Sequence, residues 1–275
     1  MWRHIVGLLT LSAIAGLLWL RATWPSSYVP VQYQVPNAFV ISLNRRTNAR
    51  IPYYLDIPTT LVGAVNSSVA VQERVPLYVK HTMAHGRHDH MQISNAAMLG
   101  CYLSHVHVWE TFLNSTDAVV AVFEEDVVVD WSSRAVLNEL WHDMRGLNWS
   151  IVMLESGHLN TEGRWLYIGQ HLATCAEPGT CTWFGTRGYL LTRQGAASLL
   201  RHARPIMVQV DALVSLVATW DSDFNMYWTR TDVAKQRLLS HSTVWDGCIK
   251  CYMPVALWPY FVLPVALITL CRFKV

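Results

Sequence analysis

Hydrophobic residues follow two different periods in the central part of the chain. In "NAAMLGCYLSHVHVWETFLN", Asn95 to Asn114, they recur every three or four positions, which predicts a helix of several turns. The next segment, "DAVVAVFEEDVVVD", Asp117 to Asp130, is apolar at nearly every position apart from its acids. A run of this kind is typical of a strand that is buried on both faces.

The same reading applied to the rest of the chain gives alternating strands and helices. The apolar patterns predict strands over Ala38–Leu43, Trp149–Ser156 and Phe224–Thr229, and helices over Ser132–Gly146, Arg193–Ala203 and Val210–Trp220. Ser132 or Ser133 is the expected cap of its helix. Alternating elements predict an α/β domain with a mostly parallel central sheet.

Two apolar segments flank this domain. Residues 1–24 contain "IVGLLTLSAIAGLLWL" between cations and are predicted to be a transmembrane signal-anchor, with a cleaved signal peptide as the alternative. Proline-rich residues 25–37 are predicted to be a stalk, and 38–251 the folded domain. Residues 252–275 are predicted to form a second span, or else a segment that packs on the domain or lies in the membrane interface.

Composition supports a membrane-bound protein of the secretory pathway. Hydrophobic residues make up 52% of the chain, charged residues 15%, and the net charge is only +2, so nucleic acid is not an expected partner. Three glycosylation sequons begin at Asn66, Asn114 and Asn148. They agree with delivery of the domain to the lumen of the endoplasmic reticulum or Golgi.

Cysteine and histidine give weaker signals. Cys175 and Cys181 bracket the turn-rich "AEPGT" and are predicted disulfide partners, whereas the lone CxxC of Cys248 and Cys251 is poor support for zinc. A cluster of four histidines is predicted to lie in a loop near the active site, and a metal site is the alternative. The cluster consists of His81, His85, His88 and His90.

The acids inside the most apolar strand are the main candidate for chemistry. Ligands of open α/β sheets bind at the carboxyl ends of strands. Two carboxylates separated by one residue, Glu124 and Asp126, can share a hard cation such as Mn²⁺ or Mg²⁺. Such an ion could bridge the diphosphate of a nucleotide-sugar. The alternative is that the acids are the solvated end of a strand.

Four segments, taken in order, resemble glycosyltransferase family 25: "FVISLNRRTNAR", "LGCYLSHVHVWETFL", "VVAVFEEDV" and "WFGTRGYLLTRQGAASLL". The resemblance implies a GT-A-like fold that uses a UDP-sugar with a divalent cation, Mn²⁺ by expectation. Glu124 and Asp126 would hold the metal. The residues carried over as donor-binding are Asn44, Arg45, Arg46, Arg50, Ser104, His105 and Glu125.

The resemblance also implies roles for later residues. It implies inversion at the sugar and a catalytic or metal-supporting role for Asp211, and Thr186 to Tyr189 could line the acceptor side. The expected base is Asp211, and Glu155, at the end of its predicted strand, is the second candidate. The family's usual acidic motif is Glu-Asp-Asp, and Glu125 replaces the middle Asp.

The expected function is transfer of galactose or glucose to a glycan, a lipid-linked glycan or a collagen-like protein. The alternative is a catalytically inactive homologue that binds glycans or proteins at a membrane.

Overall fold

The structure is a computed structural model that describes residues 37–43, 50–87, 89–156, 164–177, 181 and 185–236. The predicted membrane segments, the stalk, Asn44 to Arg46, His88 and the CxxC lie outside the described residues. None of the described helices is long and apolar enough to cross a membrane.

Eight strands form one central sheet in the order β2-β1-β3-β8-β5-β9-β7-β6, and two short strands, β4 and β10, pair separately. The strands are β1 (Ala38–Ser42), β2 (Thr59–Gly63), β3 (Val119–Glu124), β4 (Val127–Val128), β5 (Ile151–Met153), β6 (Trp165–Ile168), β7 (Leu172–Cys175), β8 (Gly188–Thr192), β9 (Met226–Thr229) and β10 (Lys235–Gln236).

The sheet is mixed, so the prediction of a mostly parallel sheet is wrong. The pairs β1–β2, β1–β3 and β5–β9 are parallel. The pairs β3–β8, β5–β8, β7–β9 and β6–β7 are antiparallel. Strand β8 inserts between β3 and β5, and the β6–β7 hairpin extends one edge. The periodicity did not reveal that hairpin, because its strands are short and β6 is largely exposed.

Seven described helices surround the sheet: α1 (Arg50–Leu55), α2 (Ser67–Ala70), α3 (Leu77–His85), α4 (Ala96–Leu113), α5 (Trp131–Asp143), α6 (Arg193–His202) and α7 (Val210–Trp220). The four predicted helices are α4 to α7. Helix α5, however, is capped by Asp130 and not by Ser132 or Ser133. The Asp130 carboxylate accepts bonds from both serine N–H groups, and the Ser133 hydroxyl accepts one from the Asp130 N–H.

Helix α4 is the central element of the core. Its Tyr102, Trp109 and Phe112 are fully buried, and the helix packs against α2, α6, α7 and β1. A side chain at Gly100 would meet the carbonyl oxygen of Val65 at 2.6 Å. The backbone of α4 therefore approaches Val65 closely at Gly100, and this contact fixes α4 against the loop after β2.

Strand β3 lies in the middle of this core. Val120, Ala121, Val122 and Phe123 are all completely buried, which matches the prediction of a strand covered on both faces. The strand ends at Glu124. Its rigid placement brings the acidic cluster to a defined edge of the sheet.

Candidate functional site

Strand directions bring several acids to one edge of the sheet. Strands β1 and β3 are parallel, with Ile41 opposite Glu124, so both end there. Strand β8 is antiparallel to β3 and β5. It therefore begins at the edge where those two strands end. As a result, Glu124, Glu155 and the segment Gly185–Arg187 meet at the same edge.

The segment Gly185–Arg187 contacts a different acid with each of its three residues. The Gly185 N–H donates to Oδ2 of Asp211 (3.0 Å), and the Thr186 hydroxyl donates to Oε1 of Glu124 (3.2 Å). Arg187 forms an ion pair with Glu155. Three carboxylates from separate parts of the chain are thereby held around one short segment.

Glu124 is held by more than one polar partner. Nε2 of His105 lies 3.5 Å from Oε1 of Glu124. Burial opposes ionisation of this carboxyl, but the hydrogen bond and charge of His105, together with Arg187 and Thr186, hold its pKa below the usual range. Glu124 is therefore an ionised acceptor near neutral pH.

His105 is oriented in turn by two buried aromatic residues. Its Nδ1 lies 2.9 Å from the Tyr189 hydroxyl, which accepts a bond from Nε1 of Trp109 (3.0 Å). His105 is only 1% exposed. His105 consequently positions Glu124, and its contact with a nucleotide donor stays a prediction.

Asp126 is the acid most suited to a cation. Its Oδ1 atom is buried and has no hydrogen-bond partner among the described residues. Burial and the charge of Glu124 raise the pKa of Asp126. An unpaired carboxylate oxygen beside a second, ionised carboxylate fits a hard divalent ion, because such an ion would satisfy the oxygen and reduce the repulsion.

Glu125 and Ser104 each form a hydrogen bond with a residue outside the group of acids. Oε2 of Glu125 accepts a bond from the Ser42 hydroxyl at the end of β1 (2.5 Å). The Ser104 hydroxyl is buried, donating to the Gly100 carbonyl and accepting from the Val65 N–H. Ser104 thus fastens a loop to α4. The donor contacts expected of Ser104 and Glu125 stay predictions.

Asp211 and Glu155, the expected bases, are both near the acidic edge. Asp211 lies in the first turn of α7. Burial raises the pKa of Asp211 to about 7, although hydrogen bonds from the Ala212 and Gly185 N–H groups act to lower it. Burial also raises the pKa of Glu155 to about 7, against the opposing charge of Arg187. The charge of Glu124 adds to both shifts, so all three carboxyls interact electrostatically.

Sequence reasoning did not identify Cys101 or Asp232 at this edge. Cys101 offers a sulfur within 4.8 Å of the ligand atoms of His105 and Glu124. The spacing of Cys101 and His105, four residues apart on a helix, was the available signal. Asp232 accepts bonds from the N–H and hydroxyl groups of Ser156, and no local pattern indicated it.

The structure also describes several residues that were predicted to have other roles. Cys175 and Cys181 are joined by a disulfide, and Asn66, Asn114 and Asn148 are all exposed. His81 and His85 lie on helix α3, so the prediction of a loop is wrong for these two residues, and their exposed rings stack with centroids 4.2 Å apart. Arg50 begins α1, but its side chain is outside the described part of the structure.

Comparison with known proteins gives a family and several relatives. The family model "Glycosyltransferase family 25 (LPS biosynthesis protein)" matches residues 35–214. Procollagen galactosyltransferase 1-A of Xenopus laevis is 26% identical over 81% of this chain and 39% of that protein.

Two other relatives carry different names. Inactive glycosyltransferase 25 family member 3 of Mus musculus is 30% identical over 65% of this chain and 31% of its own length. A glycosyltransferase 25 family member of Anopheles gambiae is 24% identical over 70% of this chain and 33% of its own length. The chain thus spans at most about two fifths of these relatives.

Proposed function

The chain belongs to glycosyltransferase family 25, and on that premise we propose that it is a metal-dependent hexosyltransferase with a GT-A-like fold. It moves galactose or glucose from a UDP-sugar to a hydroxyl group of a glycan or protein. The observation that carries the proposal is the meeting of Glu124, Asp126, Glu155 and Asp211 at one sheet edge, with an oxygen of Asp126 left unpaired.

Glu124 and Asp126 would hold the divalent ion, Mn²⁺ by preference. Both offer hard oxygen ligands, and His105 and Thr186 orient Glu124 for that task. The ion, when bound, supplies positive charge that offsets the charge developing on the departing diphosphate. Glu125 is directed at the end of β1, so its extra methylene lies outside this pair of ligands.

Asp211 is the proposed base for the acceptor hydroxyl. Its pKa of about 7 suits a group that must accept a proton near neutral pH. Glu155 is the second candidate, because its Oε1 atom is buried without a partner. In either case the carboxylate takes the hydroxyl proton while the acceptor oxygen attacks the anomeric carbon.

The donor and acceptor are proposed from the family. Asn44, Arg45, Arg46, Arg50 and Glu125 would contact the UDP moiety. The names of the Xenopus relatives support galactose as the sugar and a collagen-like protein as one acceptor; a lipid-linked glycan is another. The proposed location is the endoplasmic reticulum or Golgi membrane, with the domain in the lumen.

A catalytically inactive binding module is the second candidate function. The mouse relative that is 30% identical carries the word "inactive" in its name, and Glu125 departs from the family's usual Asp. Such a protein would bind a glycan or protein at a membrane and release no sugar from any donor.

One experiment separates these functions. The purified protein is incubated with a panel of UDP-sugars and Mn²⁺, with and without a collagen-like acceptor peptide, and released UDP and transferred sugar are measured. UDP release from one donor that stops when a chelator is added supports the transferase. The transferase proposal fails if every donor stays intact while a glycan or protein ligand still binds.

A further inference from the structure

The acidic edge contains a second set of possible metal ligands, which shares Glu124 with the proposed Mn²⁺ site. The sulfur of Cys101, a ring nitrogen of His105 and a carboxylate oxygen of Glu124 all lie within 4.8 Å of one another. Cys101 is not in a disulfide. A sulfur, a nitrogen and an oxygen together make a donor set that favours Zn²⁺ over Mn²⁺ or Mg²⁺.

The geometry of the three residues agrees with a tetrahedral ion. Cys101 and His105 are four residues apart on α4 and therefore share one face of the helix. Nε2 of His105 and Oε1 of Glu124 are 3.5 Å apart. This separation is that of a weak hydrogen bond, and it is also close to the distance of about 3.4 Å expected between two ligand atoms of tetrahedral Zn²⁺.

Tyr189 gives this set the support that metal-binding histidines require. Its hydroxyl lies against Nδ1 of His105 and can donate or accept a bond. When Nδ1 carries the proton and donates it to Tyr189, the lone pair of Nε2 is free for a metal. The carboxylates of Asp126 and Asp211 lie close enough to act on the Cys101 thiol, and their negative charge also favours a cation there.

We propose that Cys101, His105 and Glu124 form a Zn²⁺ subsite that draws Glu124 away from the Mn²⁺ position and inhibits sugar transfer. Binding converts the thiol to a Zn²⁺-bound thiolate and releases its proton to solvent, and it leaves a fourth coordination position to water. The inhibitory consequence rests on the proposed transferase function. The metal binding does not.

The test uses Co²⁺ as a spectroscopic substitute for Zn²⁺ on the full chain. We expect the wild type to show a thiolate-to-cobalt charge-transfer band in the near ultraviolet, and Cys101→Ser to lose that band. Cys248 and Cys251 are present in both proteins, so their contribution cancels in the difference spectrum. Identical spectra from two folded proteins would overturn the subsite.

A second measurement needs no variant. Zn²⁺ should slow alkylation of Cys101 by a thiol reagent at least tenfold, as followed by peptide mass spectrometry, and Mg²⁺ should have no such effect. Equal alkylation with and without Zn²⁺ would contradict the proposal even if Cys101→Ser fails to fold.

Inhibition is measured separately from binding. In the presence of Mn²⁺, the Zn²⁺ concentration that halves the rate should rise at least tenfold in Cys101→Ser, with each protein normalised to its own uninhibited rate. A cobalt band without turnover on any donor would reject the transferase and keep the subsite. Turnover with equal Zn²⁺ sensitivity in both proteins would support the transferase and reject the inhibitory subsite.

Discussion

Arg187 and Glu155 form an ion pair between the segment before β8 and the residues after β5. Arg187 donates to Oε2 of Glu155, whereas Oε1 of the same carboxylate is buried without a partner. Burial outweighs the arginine, so the pKa of Glu155 is raised to about 7. The pair therefore holds a carboxyl group that is only partly ionised at neutral pH.

Sugar transfer should depend on pH through such a carboxyl group. A base acts only when deprotonated, so kcat/KM should rise as the pH increases through about 7, where Asp211 and Glu155 ionise, and should level off above that pH. Asp211→Asn should lower kcat/KM by about 100-fold or more, with a smaller loss in Glu155→Gln. Full activity and an unchanged pH profile in Asp211→Asn would exclude it as the base.

The metal-free protein should lose stability as pH rises from about 5 to 7. The pKa values of Asp211 and Glu155 are raised in the folded state, so the folded protein binds more protons than the unfolded chain in this range. Each group should then lower the free energy of unfolding by about 1.4 kcal/mol per pH unit.

Chemical denaturation at several pH values measures this slope, and Asp211→Asn should reduce it. An increase in stability over the same range, in wild type, would contradict the assignment.

Asp126→Asn should abolish Mn²⁺-dependent turnover and leave the fold intact. The change removes one of two proposed metal ligands, so UDP release should fall by about 100-fold or more, beyond the 10- to 100-fold typical of outer-shell changes. Stability in the absence of metal should not decrease, because the change removes a negative charge that lies beside Glu124. Titration calorimetry with Mn²⁺ and thermal unfolding give the two readouts.

Asp223→Asn is the matched control for that variant. Asp223 is exposed and lies in the turn between α7 and β9, where its backbone N–H bonds to Asp221. The same loss of one charge there should leave Mn²⁺ affinity unchanged. Equal loss of turnover in both variants would point to net charge and not to ligation.

Tyr189→Phe should weaken both folding and metal binding. It removes the hydroxyl between His105 and Trp109, which should cost about 1–3 kcal/mol of stability and about tenfold in Mn²⁺ affinity. Tyr102→Phe is a matched control, since the buried Tyr102 hydroxyl donates to the Ala203 carbonyl and is part of the α4–α6 contact. The Tyr102→Phe variant should lose stability but keep its Mn²⁺ affinity. Weaker Mn²⁺ binding in this variant would contradict the role given to Tyr189.

The three sequons should carry glycans if the domain is lumenal. Asn66, Asn114 and Asn148 are exposed, and Asn66 caps α2 through its oxygen, which leaves its nitrogen available. Protein purified from eukaryotic cells should lose mass on treatment with an N-glycosidase, and Thr116→Ala should lose one glycan. No mass change in any sample would argue against the proposed location.

The amino-acid sequence determined the local features of this protein. The periods of its apolar residues defined α4 to α7 and the buried strand β3, because periodicity records which positions of an element are covered. The four family segments fixed the family, and the position of Glu124 at the end of β3 followed from the strand pattern. Capping by Asp130 was missed, because Ser132 and Ser133 are equally good cap residues in sequence.

Tertiary structure alone decided how the acids are arranged. Periodicity cannot reveal strand direction or neighbours, so the insertion of β8 between β3 and β5 was not predictable from it. That insertion brings Gly185, Thr186 and Arg187 against three separate carboxylates. Partners that lie tens of residues apart set the burial and charge around each acid, and these two quantities determine which acid stays ionised and which retains a proton.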